Sequence, residues 1–301
     1  MSGGRKFQST ANAVNHFLES LKQEGLAPRT VTFYRETLHA VLRIMDEEHI
    51  RTNPSYFTPD DLRKLLDCFD ERKLATSTRK GYLSTLKKYL AICNCDAFAR
   101  TIVRLPRDIR PTVDWYTPNQ AKALLVCDKS PLQSIVIHCE LCLGMRRVEI
   151  IRLRPDDIHD LQSYVDVRGK SSKLRSIPYT VGTREIMQLA LKRRAEQIEA
   201  RTAGEIPENL ILWLKAGRLH AYSEEGYGLD KVVTEPLSKQ LGFRVTNHKG
   251  RRTFGRTMYR AGVPVPTISK ILGHDSTEVT LRYIGVDLDD MRKAMEIQLY
   301  A

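Results

Sequence analysis

Apolar residues recur at helical spacing in tract after tract of this 301-residue chain, and that periodicity limits its fold more than any other feature. Val14, Phe17, Leu18 and Leu21 follow the i, i+3, i+4, i+7 pattern of one buried helical face, and Gly25 closes the tract. A second tract beyond Pro28 carries Tyr34, Leu38, Val41, Leu42 and Met45. Thr58-Pro59-Asp60-Asp61 is a strong helix start. It offers a hydroxyl cap, a proline where no N–H is needed, and acids beside the positive end of the helix dipole. Leu62, Leu65, Leu66 and Phe69 follow it, and a fourth tract after Ser77 turns Tyr82, Leu83, Leu86 and Leu90 inward. Four such helices make one bundle, so residues 1–100 read as a helical domain. The polar face of the fourth helix carries Arg79, Lys80, Lys87 and Lys88. A lysine-rich face is ordinarily just solvated, and it gains a role only if the rest of the chain acts on DNA.

Helical period fades over residues 101–116, where LPRDIRPTVDW mixes prolines with charges, and this stretch reads as a linker. Helix restarts at Thr117-Pro118 and again at Ser130-Pro131, the latter running apolar to Gly144. Residues 163–168 and 174–179 alternate like strands, with Gly169-Lys170-Ser171-Ser172-Lys173 between them as a hairpin turn. Residues 183–201 return to helical period, and residues 202–235 give no clear reading. The expectation is a mainly α protein with a small β-hairpin, in which residues 117–285 form a second, mixed α/β domain. Residues 286–301 add a small amphipathic helix with Leu288, Met291 and Met295 on one stripe.

A net charge of +12 points to a polyanionic partner. No uncharged apolar run approaches the length of a membrane span, and MSGGRKFQST has no apolar signal core. The default is therefore an intracellular, cytoplasmic protein, and with DNA as partner a nucleoid-associated one. Six cysteines in a chain this long are not a disulfide framework, and Cys139 and Cys142 lie within an apolar helical pattern. They are read as buried free thiols rather than zinc ligands. There is no GxxxxGKS loop, no GxGxxG after a strand, no HExxH and no cluster of carboxylates for two metals. Chemistry on a phosphate would proceed here without ATP, metal or other cofactor.

Two segments concentrate groups suited to such chemistry. In GMRRVE, Arg146 stands at a helix entrance with Glu149 one turn on, able to fix its guanidinium plane. The second segment begins at His248 and reads HKGRRTFGRTMYRAGVPVPTISKILGHDSTEVTLRYIG. His248 and Arg251 are three apart, which puts them on one face if they share a helix. Glycine costs about 1 kcal/mol relative to alanine within a helix, which would let this helix begin only after Gly250. His274 follows a helix end at Gly273, Ser276 caps another helix, and Tyr283 sits on its last turns. His138 and His220 are read as structural.

Taken in order, GMRRVE, GKSSK, HKGRR, LGH and a following tyrosine resemble the tyrosine recombinase (phage integrase) family, in particular its Xer-like site-specific recombinases. The likeness extends over nearly the whole chain, and the N-terminal unit looks like that family's core-binding domain. By that resemblance Arg146 and Arg251 match the two arginines and Lys170 the hairpin lysine. His248 and His274 match the two histidines, and Tyr283 the nucleophile. Glu149 would orient Arg146 or His248. Arg79, Lys80, Lys87, Lys88, Lys173 and Arg252 are candidates for DNA contact. The resemblance further implies a double-stranded DNA target site held in a C-shaped clamp, a homo-oligomer on DNA (dimer to tetramer), and head-to-tail docking of the C-terminal helix. The activity implied is site-specific recombination through a 3′-phosphotyrosyl intermediate. A recombinase-like binding or accessory protein without catalysis, and a type IB topoisomerase, are the competing readings.

Overall fold

Ser9 opens the first helix by accepting a hydrogen bond from the Asn12 N–H at 3.2 Å. That helix, α1 (Thr10–Gln23), is followed by α2 (Pro28–Glu47), α3 (Pro59–Glu71) and α4 (Thr76–Ile92). The start expected at Thr58 is a reciprocal cap: Thr58 N–H donates to Asp61 Oδ2 at 2.8 Å, and the Thr58 hydroxyl accepts from the Asp61 N–H. Helix α4 begins at Thr76 with no side-chain cap, so Ser77 lies inside its first turn. In the computed structural model these four helices belong to one compact unit, residues 1–111, and residues 112–301 form a second. The structure describes residues 7–97, 114–169, 173–224, 227–285, 290–292 and 295.

The core of the first unit is built from the predicted stripes, with Phe17, Leu38, Met45, Leu65, Leu86 and Tyr89 all fully buried. Phe17 meets Tyr89 edge-on, with ring centroids 5.5 Å apart. One residue of the supposed basic face departs from the sequence reading. Arg79 is turned inward: its Nε donates to Leu74 O at 2.8 Å, its Nη2 to Phe69 O at 2.7 Å, and it pairs with Asp70. It thereby adds a second donor to Phe69 O, which already accepts from the Leu74 N–H, and holds Leu74 O just past the end of α3. Lys88 is engaged too, with Glu24 at 2.7 Å and the Tyr34 ring at 5.6 Å. Lys80 and Lys87 remain exposed on α4.

In the second unit, α5 (Pro118–Val126) and α6 (Pro131–Cys142) start at the two hydroxyl–proline steps, each with a reciprocal cap. Helix α6 is the central post: Ile135, Val136, Ile137 and Cys139 are all buried, and α5, α7 (Arg147–Arg152), α8 (Val181–Glu199) and α11 (Asn247–Arg260) pack around it. The expected hairpin is present as β2 (Tyr164–Arg168) and β3 (Leu174–Pro178), but β1 (Ile158–His159) adds an unforeseen third strand in the order β1-β2-β3, all antiparallel. Register pairs Val165 with Ile177 and Val167 with Arg175, so Arg175 shares the inward face with three buried aliphatics. The unreadable stretch holds a second hairpin, β4 (Leu212–Lys215) and β5 (Arg218–Ala221), then α9 (Gly228–Val232). Then follow α10 (Thr234–Leu241), α11, α12 (Val265–Leu272) and α13 (Thr277–Ile284). Among the described residues no helix is long and apolar enough to cross a membrane, and no group of His, Cys, Asp and Glu could hold a metal ion. The six cysteines are free thiols.

Candidate active site

The site is assembled by three chain reversals that converge on the end of α12. The first is at Gly144, whose φ of +61° and closeness to Phe254 (a Cβ would lie 2.5 Å from its ring) leave room for no other residue. That turn delivers Arg146 to the N-cap of α7. Glu149, three residues on, accepts from the Arg146 backbone N–H at 2.8 Å and from its Nη1 at 2.7 Å. The Arg146 guanidinium also reaches Leu272 O at 3.4 Å while keeping its side chain partly open to solvent.

The second reversal is the start of α11. Thr246 caps it, its hydroxyl accepting from the Lys249 N–H at 3.3 Å, so the helix begins at Asn247 rather than after Gly250. Gly250 sits inside the helix because α6 comes close there: a Cβ would lie 2.9 Å from Glu140 Oε2 and 3.0 Å from Glu140 Cβ. Close approach replaces helix propensity as the reason for glycine. Buried Glu140 is driven well above the usual carboxylate range, first by burial and then by the Asp230 charge, against the pull of Arg147.

With α11 starting early, His248 and Arg251 do share one helical face. Arg251 is 1% exposed. It donates from Nη1 to Gly144 O and from Nη2 to Leu272 O, both at 2.5 Å, and lies 3.5 Å from Glu149. Its Nε has no hydrogen-bond partner among the described residues. Burial, then the Arg146 charge, pull its pKa down to about 10, which leaves it a cation at neutral pH. His248 is lowered by burial and then by Arg252, Arg251, Arg146 and Arg147, so it stands as a neutral imidazole near the pocket's cations.

The third reversal is the end of α12. Gly273, at φ +62°, closes it with His274 N–H bonded back to Ser269 O at 3.0 Å. His274 Nε2 lies 3.1 Å from Arg251 Nη2, which can only donate, so that nitrogen is the acceptor. The ring proton then belongs on Nδ1, 2.8 Å from the buried Thr280 hydroxyl. Burial first, then Arg251, Arg146 and Arg175, hold His274 down to about 4, in keeping with that neutral tautomer. Ser276 caps α13 through the Val279 N–H, and α13 places the Tyr283 ring edge-on to His274 at 5.1 Å. The Arg251 and Arg252 guanidiniums stand 5.8 and 5.4 Å from the Tyr283 ring centroid.

Arg175 belongs to this cluster and was absent from the residues singled out in the sequence. Its Nη1 and Nη2 grip the two Glu149 oxygens at 2.9 and 2.8 Å, and its Nε donates to Ile271 O at 2.7 Å. Glu149 therefore meets three arginines, not His248. Burial would raise its pKa, but the Arg175 fork, the Arg175 and Arg251 charges and the Arg146 N–H outweigh burial and hold it at about 2. Of the remaining candidates, Lys170 lies outside the described residues. Lys173 is exposed and paired with Asp275 at 2.6 Å. His138 bonds Thr183 at 2.9 Å and His220 stacks on Trp213, both away from the pocket.

Arg146, Arg251, His248, His274 and Tyr283 thus border one hollow, with cationic forks beside a phenol, Glu149 buried among the forks and Asp275 exposed near Arg146 and His274. Residues 114–289 match the phage integrase family, and residues 14–93 match the N-terminal SAM-like domain of phage integrases. The chain is 27% identical over 297 residues to the putative integrase/recombinase y4rC of Sinorhizobium fredii, spanning 90% of this chain and 86% of that one. It is 23% identical over 292 residues to the tyrosine recombinase XerC of Oceanobacillus iheyensis, spanning 93% of each. Its fold matches the Tn1549 transposon integrase, solved in complex with circular intermediate DNA, with a TM-score of 0.67 at 18% identity over 95% of this chain and 99% of that one. With a single family match that covers more than half its length, this chain belongs to the phage integrase family of tyrosine recombinases.

Proposed function

We propose that this protein is a site-specific DNA recombinase in which Tyr283 is the nucleophile. The observation that carries the reading is the shared hollow: Arg146 and Arg251 both reach Leu272 O and Glu149, and the Arg251 guanidinium stands 5.8 Å from the Tyr283 ring. In the proposed step the Tyr283 oxygen attacks phosphorus as its proton passes toward neutral His248. The bond from phosphorus to the 5′ oxygen breaks, and Lys170 supplies the proton that this oxygen needs. The product is a 3′-phosphotyrosyl link and a free 5′ hydroxyl. Attack by a partner strand's 5′ hydroxyl reverses the step, so a Holliday junction can form and resolve with no energy source. Arg146 and Arg251 stabilise the added charge on the equatorial oxygens; His274, which accepts from Arg251 Nη2, can hydrogen-bond the phosphate only with a proton on Nε2. Lys80, Lys87, Lys173 and Arg252 are proposed to meet the DNA backbone, and two to four copies to assemble on target duplexes. The XerC relative and the DNA-bound integrase neighbour support DNA as the substrate.

The test begins by selecting bound DNA from a random library, then presents that site as a nicked suicide substrate. A covalent protein–DNA adduct lost in Tyr283→Phe is the expected result. Site-specific binding without any adduct from the unaltered chain would refute the enzyme reading and leave a DNA-binding protein. Relaxation of supercoiled DNA without site preference would instead indicate a topoisomerase.

A further inference from the structure

The nucleophile's helix ends at Gly285, and what holds that end is a buried arginine outside the hollow. Arg256, on α11, is 2% exposed. Its guanidinium lies over the Trp115 indole at 4.7 Å, its Nη1 donates to Gly285 O, and the same nitrogen pairs with Asp290 Oδ2 at 2.5 Å. Asp290 is itself only 10% exposed and has Arg260 within 3.9 Å. A guanidinium is costly to bury, and here a carboxylate, a helix-end carbonyl and an aromatic face compensate it together. Gly285 and Asp290 lie close together in the chain, and Trp115 comes from far upstream.

Trp115 belongs to a strap laid along α11. Asp114 pairs with Lys249 at 2.9 Å. The Tyr116 N–H donates to the Thr253 hydroxyl at 2.8 Å, its hydroxyl donates to Thr246 O at 3.2 Å, and its ring faces the Lys249 ammonium at 4.9 Å. Three consecutive residues therefore grip the helix that carries His248 and Arg251, and the middle one is the platform for Arg256.

We infer that Arg256 is a positioning residue for Tyr283. It fixes the end of α13 through Gly285 O and anchors the chain beyond it through Asp290, with the Trp115 strap as its support. The inference rests on the proposed role of Tyr283, so its test must separate the two. Arg256→Gln, Arg256→Lys and Asp290→Asn are compared with the unaltered chain for DNA affinity, single-turnover adduct formation on the suicide substrate, and amide hydrogen exchange. Arg256→Gln is expected to keep DNA affinity within about twofold while adduct formation slows about tenfold or more, the scale on which small misplacements act. Exchange should accelerate in residues 277–285 but not in α6 or α8. Arg256→Lys, which keeps the charge but not the fork, should recover part of the rate. Asp290→Asn should loosen the same residues even if Arg256→Gln fails to fold. Unchanged exchange in 277–285 in Asp290→Asn, or unchanged adduct formation in a folded Arg256 variant, would overturn the inference. So would equal loosening throughout the unit. If the unaltered chain forms no adduct, the proposed function fails, while the exchange pattern still judges the anchor.

Discussion

Glu149→Gln tests whether the site is held together by one carboxylate. Four hydrogen bonds reach that carboxylate, two from Arg146 and two from Arg175, with Arg251 at 3.5 Å. Glutamine keeps the shape but removes the charge, and its amide turns two donors toward guanidiniums that can only donate. The folded carboxylate stands at about 2 against an ordinary 4.5. That gap corresponds to about 3 kcal/mol of folding stability. Breaking a buried ion pair costs about 3–5 kcal/mol, which agrees. Because the folded value is the lower one, the contribution is fully present above pH 4.5 and is lost as pH falls through about 2. Both tryptophans, Trp115 and Trp213, lie in the second unit, so their fluorescence reports its unfolding alone. Urea titration of Glu149→Gln at pH 7 should show a loss of about 3–5 kcal/mol, and heating a midpoint lower by roughly 6–20 °C. The decline of stability between pH 4.5 and 2 should be shallower in the variant. Stability within about 1 kcal/mol of the unaltered chain at pH 7, with the same acid decline, would refute the reasoning.

Gly250→Ala is expected to destabilise the second unit by about 1–3 kcal/mol, although alanine is the better helix former by about 1 kcal/mol, because its Cβ would press on Glu140. A urea-denaturation double-mutant cycle with Glu140→Ala should then show clear coupling, and a stabilised Gly250→Ala would count against the close-approach explanation. For His274, a ring-proton NMR titration of the free protein should find a midpoint near 4 and the Nδ1–H tautomer at neutral pH. The folded ring being the harder one to protonate, this group's contribution to stability falls as pH drops from 6.5 toward about 4, a range above that of Glu149. A midpoint near 6.5 would mean that Arg251 does not face Nε2.

Much of this architecture was legible because its signals are local. The starts at Thr58, Thr117 and Ser130 depend on a hydroxyl and a proline adjacent in sequence, and all three appear where those residues stand. Arg146, Arg251, His274 and Tyr283 could be singled out because each lies in or just after a short motif whose order along the chain resembles the family's. What escaped depends on contacts between distant segments. Arg175 is in phase with buried Ile177 along β3, and an arginine on the inward phase of a strand was the available signal, but its meaning required Glu149 across the sheet edge. Gly250 argued for a delayed helix start until α6 supplied Glu140 as the reason for its missing side chain. Arg79 looked solvated because periodicity alone does not reveal that a long side chain can fold back onto carbonyls in and just past the preceding helix. Residues 202–235 were opaque for a further reason: two four-residue strands and a five-residue helix are too short for any period to register.

The charge count of the hollow explains why three arginines can serve one phosphate. Around Glu149, the guanidiniums of Arg146, Arg175 and Arg251 set three positive charges against its one negative, an excess of 3 − 1 = 2, and burial first, then nearby cations, hold His248 and His274 neutral. Glu149 is needed for the folded protein to tolerate the cluster without DNA, and Arg175 is largely committed to holding it. Under the proposed reading, a bound phosphodiester brings one negative charge and leaves these three arginines and Glu149 still one positive in sum. Attack by Tyr283 adds a second negative charge on the equatorial oxygens, and the remaining positive charge of the guanidiniums meets it. The fixed guanidiniums therefore favour the transition state over the bound substrate, which is the condition for accelerating the step rather than merely holding DNA. Without Arg175, an unrestrained Glu149 would turn its charge on Arg146 and Arg251 alone, and the same two forks would bind phosphate with less surplus to spend on its reaction.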